Sequence, residues 1–218
     1  MNDVRGWIEK KLAENRFSAT RLPKHQLQIA RDRFPDARVL CVGLDHREVF
    51  GAENLDAALA DVPDTSFVVV VPAAISHAVY ERAEELGVCV TGFGELIDAL
   101  HYDEDVARHV DRQGQYERRR LTRNRAVKSL KRKGYRAYEI ERKKLRSLTI
   151  VTTDDYEITA DRIYSLLESY EEINPNLIVV TNPNCRGFST DSLQAAARSG
   201  IPLVLFNEFL DDLGSKWT

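Results

Sequence analysis

Little in this sequence spells out a reaction. Its three cysteines, Cys41, Cys89 and Cys185, are too few and too widely spaced for a disulfide framework, and two of them sit inside the apolar runs LCVG and VCVT. They read as small buried hydrophobes in a reducing compartment. No Cys-x-x-Cys occurs and the five histidines make no ligand-spaced pair, which excludes a zinc site of the usual kind. Phosphate loops are missing too: there is no G-x-G-x-x-G and no G-x-x-x-x-G-K-[ST], and TGFGEL carries no base beside its glycines. A G-x-S-x-G elbow is also absent. The longest apolar run, residues 67–75, is broken by Pro72 and falls far short of the roughly 20 residues a membrane span needs. Acids and bases are scattered through the opening residues, unlike a signal or transit peptide, so the expectation is a cytoplasmic protein with no membrane partner. With 43% hydrophobic residues, 7 Pro and 11 Gly among 218, the chain has the makings of a folded core.

What the sequence does have is a charge asymmetry. Residues 117–146 carry fourteen Lys or Arg against three Glu, while the remainder holds 17 bases and 31 acids, in a chain whose total is -3. Leu121, Val127 and Leu130 are spaced as a narrow apolar stripe, so residues 117–133 are expected to form a basic helix ended by Gly134. Like charges three and four apart on a helix, such as Lys128 and Arg132, repel. Nucleic acid, or an acidic surface on a partner or a second copy, would supply the counter-charge. Arg118, Arg119, Arg120, Arg123, Arg125, Lys128, Lys131, Arg132, Lys133, Arg142 and Lys143 would contact a nucleic-acid backbone, with Tyr116, Tyr135 and Tyr138 as flanking rings.

An internal repeat organises the chain. FVVVVPAAISHAVYERAEELGVCVTGFGELIDAL, from Phe67, parallels LIVVTNPNCRGFSTDSLQAAARSGIPLVLFNEFLDDL, from Leu177. At an offset of 113, Gly87 matches Gly200, Phe93 matches Phe206, Glu95 matches Glu208 and Leu100 matches Leu213. Runs such as FVVVV and LIVVT, apolar on both faces, read as strands of a covered parallel sheet. The helices between them stop at Gly87 and Gly200. Earlier strands are expected at residues 37–43 and 148–153, each preceded by a helix (residues 27–34 and 121–133), with YRAYEI as an additional strand of the second copy alone. The predicted fold is α/β: two tandem repeated units with mainly parallel strands, three-layer and Rossmann-like or restriction-endonuclease-like. The expected divisions are a capping helix over 1–20, a first unit over 21–104 and a second over 105–218.

Ligands of open parallel sheets bind outside the carboxyl ends of the strands. In the second copy those ends carry Asp154 and Asp155, then Asn182 and Asn184, then Glu208. Asp154, Asp155 and Glu208 are the candidate catalytic acids. Asp154 and Glu208 would share Mg²⁺ or Mn²⁺, and Asn182, Asn184 and Ser189 would hold a substrate. Each also has a plain structural reading: turns for Asp154–Asp155 and Asn182–Pro183, a first helical turn for Glu208, and an N-cap for Ser189.

The tail from Leu177, with its strand ending in Thr, polar loop, Ala-rich helix, strand and Leu-rich helix, resembles the closing part of Mrr-type restriction-endonuclease-like domains. The basic segment followed by KGYRAYEIE is similar to their opening. The resemblance implies DNA as ligand and, in the intact family, an Asp on one strand and a Glu-x-Lys on the next holding a metal ion. Here Glu141-Arg142-Lys143 has the Glu-x-Lys spelling but lies ahead of the strand that ends at Asp154, and no Glu-x-Lys follows. The expectation is therefore a nucleic-acid-binding, nuclease-like accessory module. The alternatives are a metal-dependent nuclease acting from the second copy, an assembly component docking its basic helix on an acidic protein surface or a second copy, and a small-ligand sensor using the strand-end loops.

Overall fold

The computed structural model describes residues 3–62 and 64–217 and divides the chain into two compact units, Met1–Asp111 and Arg112–Thr218. In chain order, the first contains α1 (Val4–Glu14), β1 (Ala19–Arg21), β2 (Gln26–Ile29), β3 (Ala37–Gly43), α2 (Ala52–Ala60), β4 (Phe67–Val71), α3 (His77–Leu86), β5 (Cys89–Thr91) and α4 (Phe93–Tyr102). The second contains α5 (Arg112–Thr122), β6 (Val127–Gly134), β7 (Ala137–Arg142), β8 (Leu148–Thr153), α6 (Ala160–Ser169), β9 (Leu177–Val180), α7 (Thr190–Arg198), β10 (Leu203–Leu205) and α8 (Phe206–Asp212). Short 3₁₀ turns occur at Val106–Arg108 and Glu171–Ile173. Among the described residues no helix is long and apolar enough to cross a membrane.

The two sheets have the same strand order and sense. Each has five strands in sequence order. The first three run antiparallel to their neighbours, and the last three are parallel. The sheets are thus mixed, which corrects the expectation of mainly parallel strands. The parallel part is where both faces are covered. In the first unit, Val39, Cys41, Phe67 and Val69 pack with Ile8 and Leu12 of α1 and Leu96 and Leu100 of α4. Leu40, Val68 and Val70 point the other way, toward Leu55 of α2 and Val79 and Ala83 of α3. The second unit repeats this: Tyr138, Ile150 and Val179 lie under α5 and α8, and Val151, Ile178 and Val180 under α6 and α7. The initial helix α1 therefore contributes to the first unit's core.

Two expected helices are strands. β2 occupies the predicted helix 27–34, alternating Leu27 and Ile29 into the core between β1 and β3. β6 replaces the second half of the basic helix, which ends at Thr122. The misleading signal was the spacing of Val127 and Leu130. On a regular strand they would face opposite ways, but an irregularity in register between Val127 and Ser129 puts both against the same core. Gly134 ends a strand at the Tyr135–Arg136 turn rather than a helix. YRAYEI is not peculiar to the second unit, since β7 has its counterpart in β2.

The common strand order lets the two sheets be set against each other residue by residue. With Val90 of β5 set against Leu203 of β10, strand pairing carries the comparison inward. The paired row Leu27–Val39–Phe67 of the first unit stands where Tyr138–Ile150–Leu177 stands in the second. Gly87 and Gly200 both take positive φ, 69° and 67°, which glycine adopts without a Cβ penalty as each chain leaves its helix. Two residues beyond Ile29 and Ile140 come Arg31 and Arg142, both buried. Arg31 donates to the carbonyls of Leu100 at 3.2 Å and Pro35 at 3.3 Å. Arg142 donates to those of Leu213 at 3.2 Å and Arg146 at 2.8 Å, and to Ser215 at 2.7 Å. In each unit one guanidinium satisfies carbonyls at the end of the last helix and in its own loop.

Candidate nucleic-acid interface

Because β8, β9 and β10 are parallel, their carboxyl ends lie along one edge of the second sheet. Asp154 follows β8 and is exposed; Asn182 donates from Nδ2 to its carbonyl oxygen at 3.0 Å, and the Asn184 amide donates to Asn182 Oδ1 at 2.9 Å. Asp155 accepts from the Thr153 hydroxyl and from Arg162 Nε at 2.9 Å. Ser189 caps α7, accepting from the Ser192 amide at 3.2 Å. Glu208 is exposed in the first turn of α8. The structure brings Asp154 and Asn182 together, but Glu208 follows β10, and β9 lies between β8 and β10. That puts the two strands roughly 10 Å apart. Among the described residues no three His, Cys, Asp or Glu side chains converge to hold a metal ion.

The basic residues separate into three settings. Arg118, Arg119 and Arg120 are on α5, where Arg120 donates to Asn207 Oδ1 at 3.1 Å and lies 5.9 Å from the ring centroids of Tyr116 and Phe206. Lys128, Lys131, Arg132 and Lys133 are on β6, an edge strand of eight residues, whereas the other edge strands β1, β5 and β10 have three each. Lysines on so long an edge discourage pairing with another chain, and β7 offsets part of the charge. Lys131 stands opposite Glu139, and Glu141 accepts from Lys128 Nζ at 2.5 Å and Ser129 Oγ at 2.7 Å. The hydrogen bond from Lys128, above all, holds the Glu141 carboxyl below its ordinary range. Arg132 folds back onto the carbonyls of Gly134 and Tyr135 at 3.1 and 3.3 Å. The third setting is the loops: Arg123 and Arg125 between α5 and β6, and Lys143 after β7, all exposed. Arg142, grouped with these bases on sequence, is instead 6% exposed and turned onto backbone carbonyls.

Sequence reading missed Glu117, whose side chain is 0% exposed. Its Oε2 accepts from Thr152 Oγ1 at 2.8 Å and Tyr138 OH at 3.1 Å; its Oε1 accepts from Thr181 Oγ1 at 3.1 Å and Gln113 Nε2 at 3.3 Å. Arg136 Nη1 lies 3.7 Å away. Burial raises the Glu117 pKa, while Arg136 and the hydroxyl donors pull it back. Burial, followed by the charge of Glu117, pushes the Tyr138 phenol up, so it remains a donor. These bonds tie α5 to β7, to β8 and to Thr181, the residue that follows β9. The signal was there to find: Glu117 precedes Leu121 by one helical turn, an acid in line with an apolar anchor. Compared with known proteins, the chain matches no family model, no curated sequence and no solved structure.

Proposed function

We propose that this protein binds nucleic acid through its second unit, as a diverged nuclease-like binding or accessory module without cleavage activity, and that its two units are copies of one duplicated α/β unit. The observation that carries the reading is the exposed positive charge of the second unit: residues 118–138 contain no acid, and among them Arg119, Arg120, Arg123, Arg125, Lys128 and Lys131 are exposed. Guanidinium and ammonium groups so arranged match a phosphodiester backbone. The non-cleaving part of the reading is supported by the donors. Across the β7–β8 pairing, Tyr138 meets Ile150 and Glu139 meets Thr149, with no Asp and Glu-x-Lys on successive strands. Glu141 is engaged by Lys128 and Ser129. The duplication is supported by the common strand order and by the matched arginines Arg31 and Arg142.

Fluorescence anisotropy with labelled duplex and single-stranded DNA and RNA tests the reading. Contacts from six or more of these side chains would make affinity fall by roughly 10³ or more between 50 and 200 mM salt. Failure to bind any of the four probes at 50 mM salt would refute it, and Mg²⁺-dependent cleavage in the same tubes would refute the non-catalytic part.

A further inference from the structure

Three segments distant in sequence meet at the amino end of β8. The Lys143 amide donates to the Ala126 carbonyl at 3.0 Å, joining the loop after β7 to the loop after α5. Arg142 draws in the C-terminal segment through Leu213 and Ser215 and holds its own loop through Arg146. Asn124 Nδ2 adds a bond to the Leu210 carbonyl at 2.7 Å. The outward side chains on this frame are Arg123, Arg125, Lys143, Lys144, Arg146 and Lys216, all exposed. None of the six makes an ion pair among the described residues, whereas Arg21, Lys24, Arg38, Arg82 and Arg162 each have a carboxylate partner. Glu141, two residues before Lys143, is engaged by Lys128 and Ser129, and Asp211 and Asp212 form no ion pair with the six among the described residues. Unlike the lysines of β6, these six guard no sheet edge.

We infer that this composite loop surface is where nucleic acid seats, gripping the sugar–phosphate backbone without reading bases. The inference rests on the nucleic-acid reading above and adds the site and the mode. Base discrimination requires Asn, Gln, a bidentate Arg fixed toward a groove, or an exposed ring. The one amide here, Asn124, is engaged at both ends, by Leu210 and by the Ala126 amide at 2.9 Å. Trp217 donates Nε1 to the Asp212 carbonyl at 3.1 Å and packs its ring 5.6 Å from Phe209. Among the surrounding polar side chains Ser147 and Ser215 remain, and serine hydroxyls serve any base. Long cationic side chains on a fixed frame therefore meet phosphates, which position a nucleic acid but carry no sequence information.

The test is anisotropy of the full chain with labelled 20-mers of two unrelated sequences, and with labelled inorganic polyphosphate. The wild type is compared with the triple variant Arg123→Glu/Lys144→Glu/Arg146→Glu and with Asn182→Ala/Asn184→Ala at the opposite edge. The expected results are affinities for the two sequences within about threefold, at least a tenfold loss in the triple variant, and a log–log salt slope shallower by about 3. The Asn double variant should bind like wild type. Preference for one sequence beyond tenfold overturns backbone-only recognition, and wild-type affinity in the triple variant overturns the site while leaving nucleic-acid binding standing. Binding of polyphosphate through the same three residues without any nucleic acid keeps the surface as a phosphate-chain site and removes the reading it rests on. Binding of neither probe removes both.

Discussion

The two units have one strand order but differ in what lies between the first helix and the sheet. In the first unit that space is filled by Val4 and Ile8 of α1 with Leu27, Cys41 and Val71; by strand register the second unit has Tyr138, Thr152 and Thr181 where the last three stand, and there they meet Gln113 and Glu117 of α5. One architecture thus accommodates either an oily plug or a hydrogen-bonded carboxylate. The oily version buries apolar side chains, and α1 is tied at its rim, where Arg21 Nε donates to Glu9 Oε1 at 2.7 Å and Arg5 Nη1 to the Leu22 carbonyl at 3.1 Å. The polar version binds α5 by directional bonds to β7, β8 and Thr181, and α5 leads into the cationic loops. A buried ionic network adds little net stability over a well-packed apolar set, but it penalises any other placement of the helix. The difference tracks the surface, because the unit with the polar interior is the one with the excess positive charge.

Substitutions can break that comparison, and the largest effect should come from transplanting the charge alone. Ile8→Glu places a carboxylate in the apolar cluster that holds Leu27 and Cys41, and should destabilise the first unit by about 5 kcal/mol. Hydrogen-exchange mass spectrometry resolves the units, and exchange of α1 and β3 should approach the unfolded rate. Glu117→Ala should cost about 3 kcal/mol by urea unfolding. Part of the loss is recovered because Thr152 and Thr181 have other acceptors, the Arg136 and Thr153 carbonyls. What the units share can be tested with Arg31→Ala and Arg142→Ala, each expected to cost about 2 kcal/mol; a large cost in one and none in the other would end the equivalence.

The smallest effect concerns pH. A Glu117 pKa raised above 4.5 means the folded state holds the proton more tightly than the unfolded one. Its contribution is greatest below 4.5 and is lost as pH rises through the folded value. Stability measured upward from pH 4.5 should therefore decline more steeply in the wild type than in Glu117→Gln, and identical profiles would show that Glu117 titrates as it does when unfolded.

Much of the parallel half of each sheet was legible in sequence because FVVVV, LIVVT and LTIVTT are apolar on faces that are both covered, and because glycine marks where the intervening helices stop. Of the antiparallel half beyond β3 and β8, only β7, the run YRAYEI, was legible. β2 is four residues long, too short for alternation to outweigh a helical spacing, and the irregular register of β6 disguises it as helix. The basic run was visible as charge, but its division into helix, edge strand and loops depends on pairing across the sheet. Arg142 and Arg123 look alike in a list of bases. One faces carbonyls and the other solvent because β7 ends where the C-terminal segment returns. Glu117 was hidden by its neighbours, one acid before three arginines, although its spacing from Leu121 marked the buried stripe.

The central claim is that the second unit carries the nucleic-acid surface, and the salt dependence of binding tests it most directly. Titrating the full chain into a labelled 20-mer at 50 and 200 mM salt should show affinity falling by roughly 10³ or more. The fall should be reduced by charge reversal at Arg123, Lys144 and Arg146 and unchanged by charge reversal at the first unit's exposed Arg33 and Arg47. A flat salt response, or equal sensitivity to reversals in the two units, would contradict it.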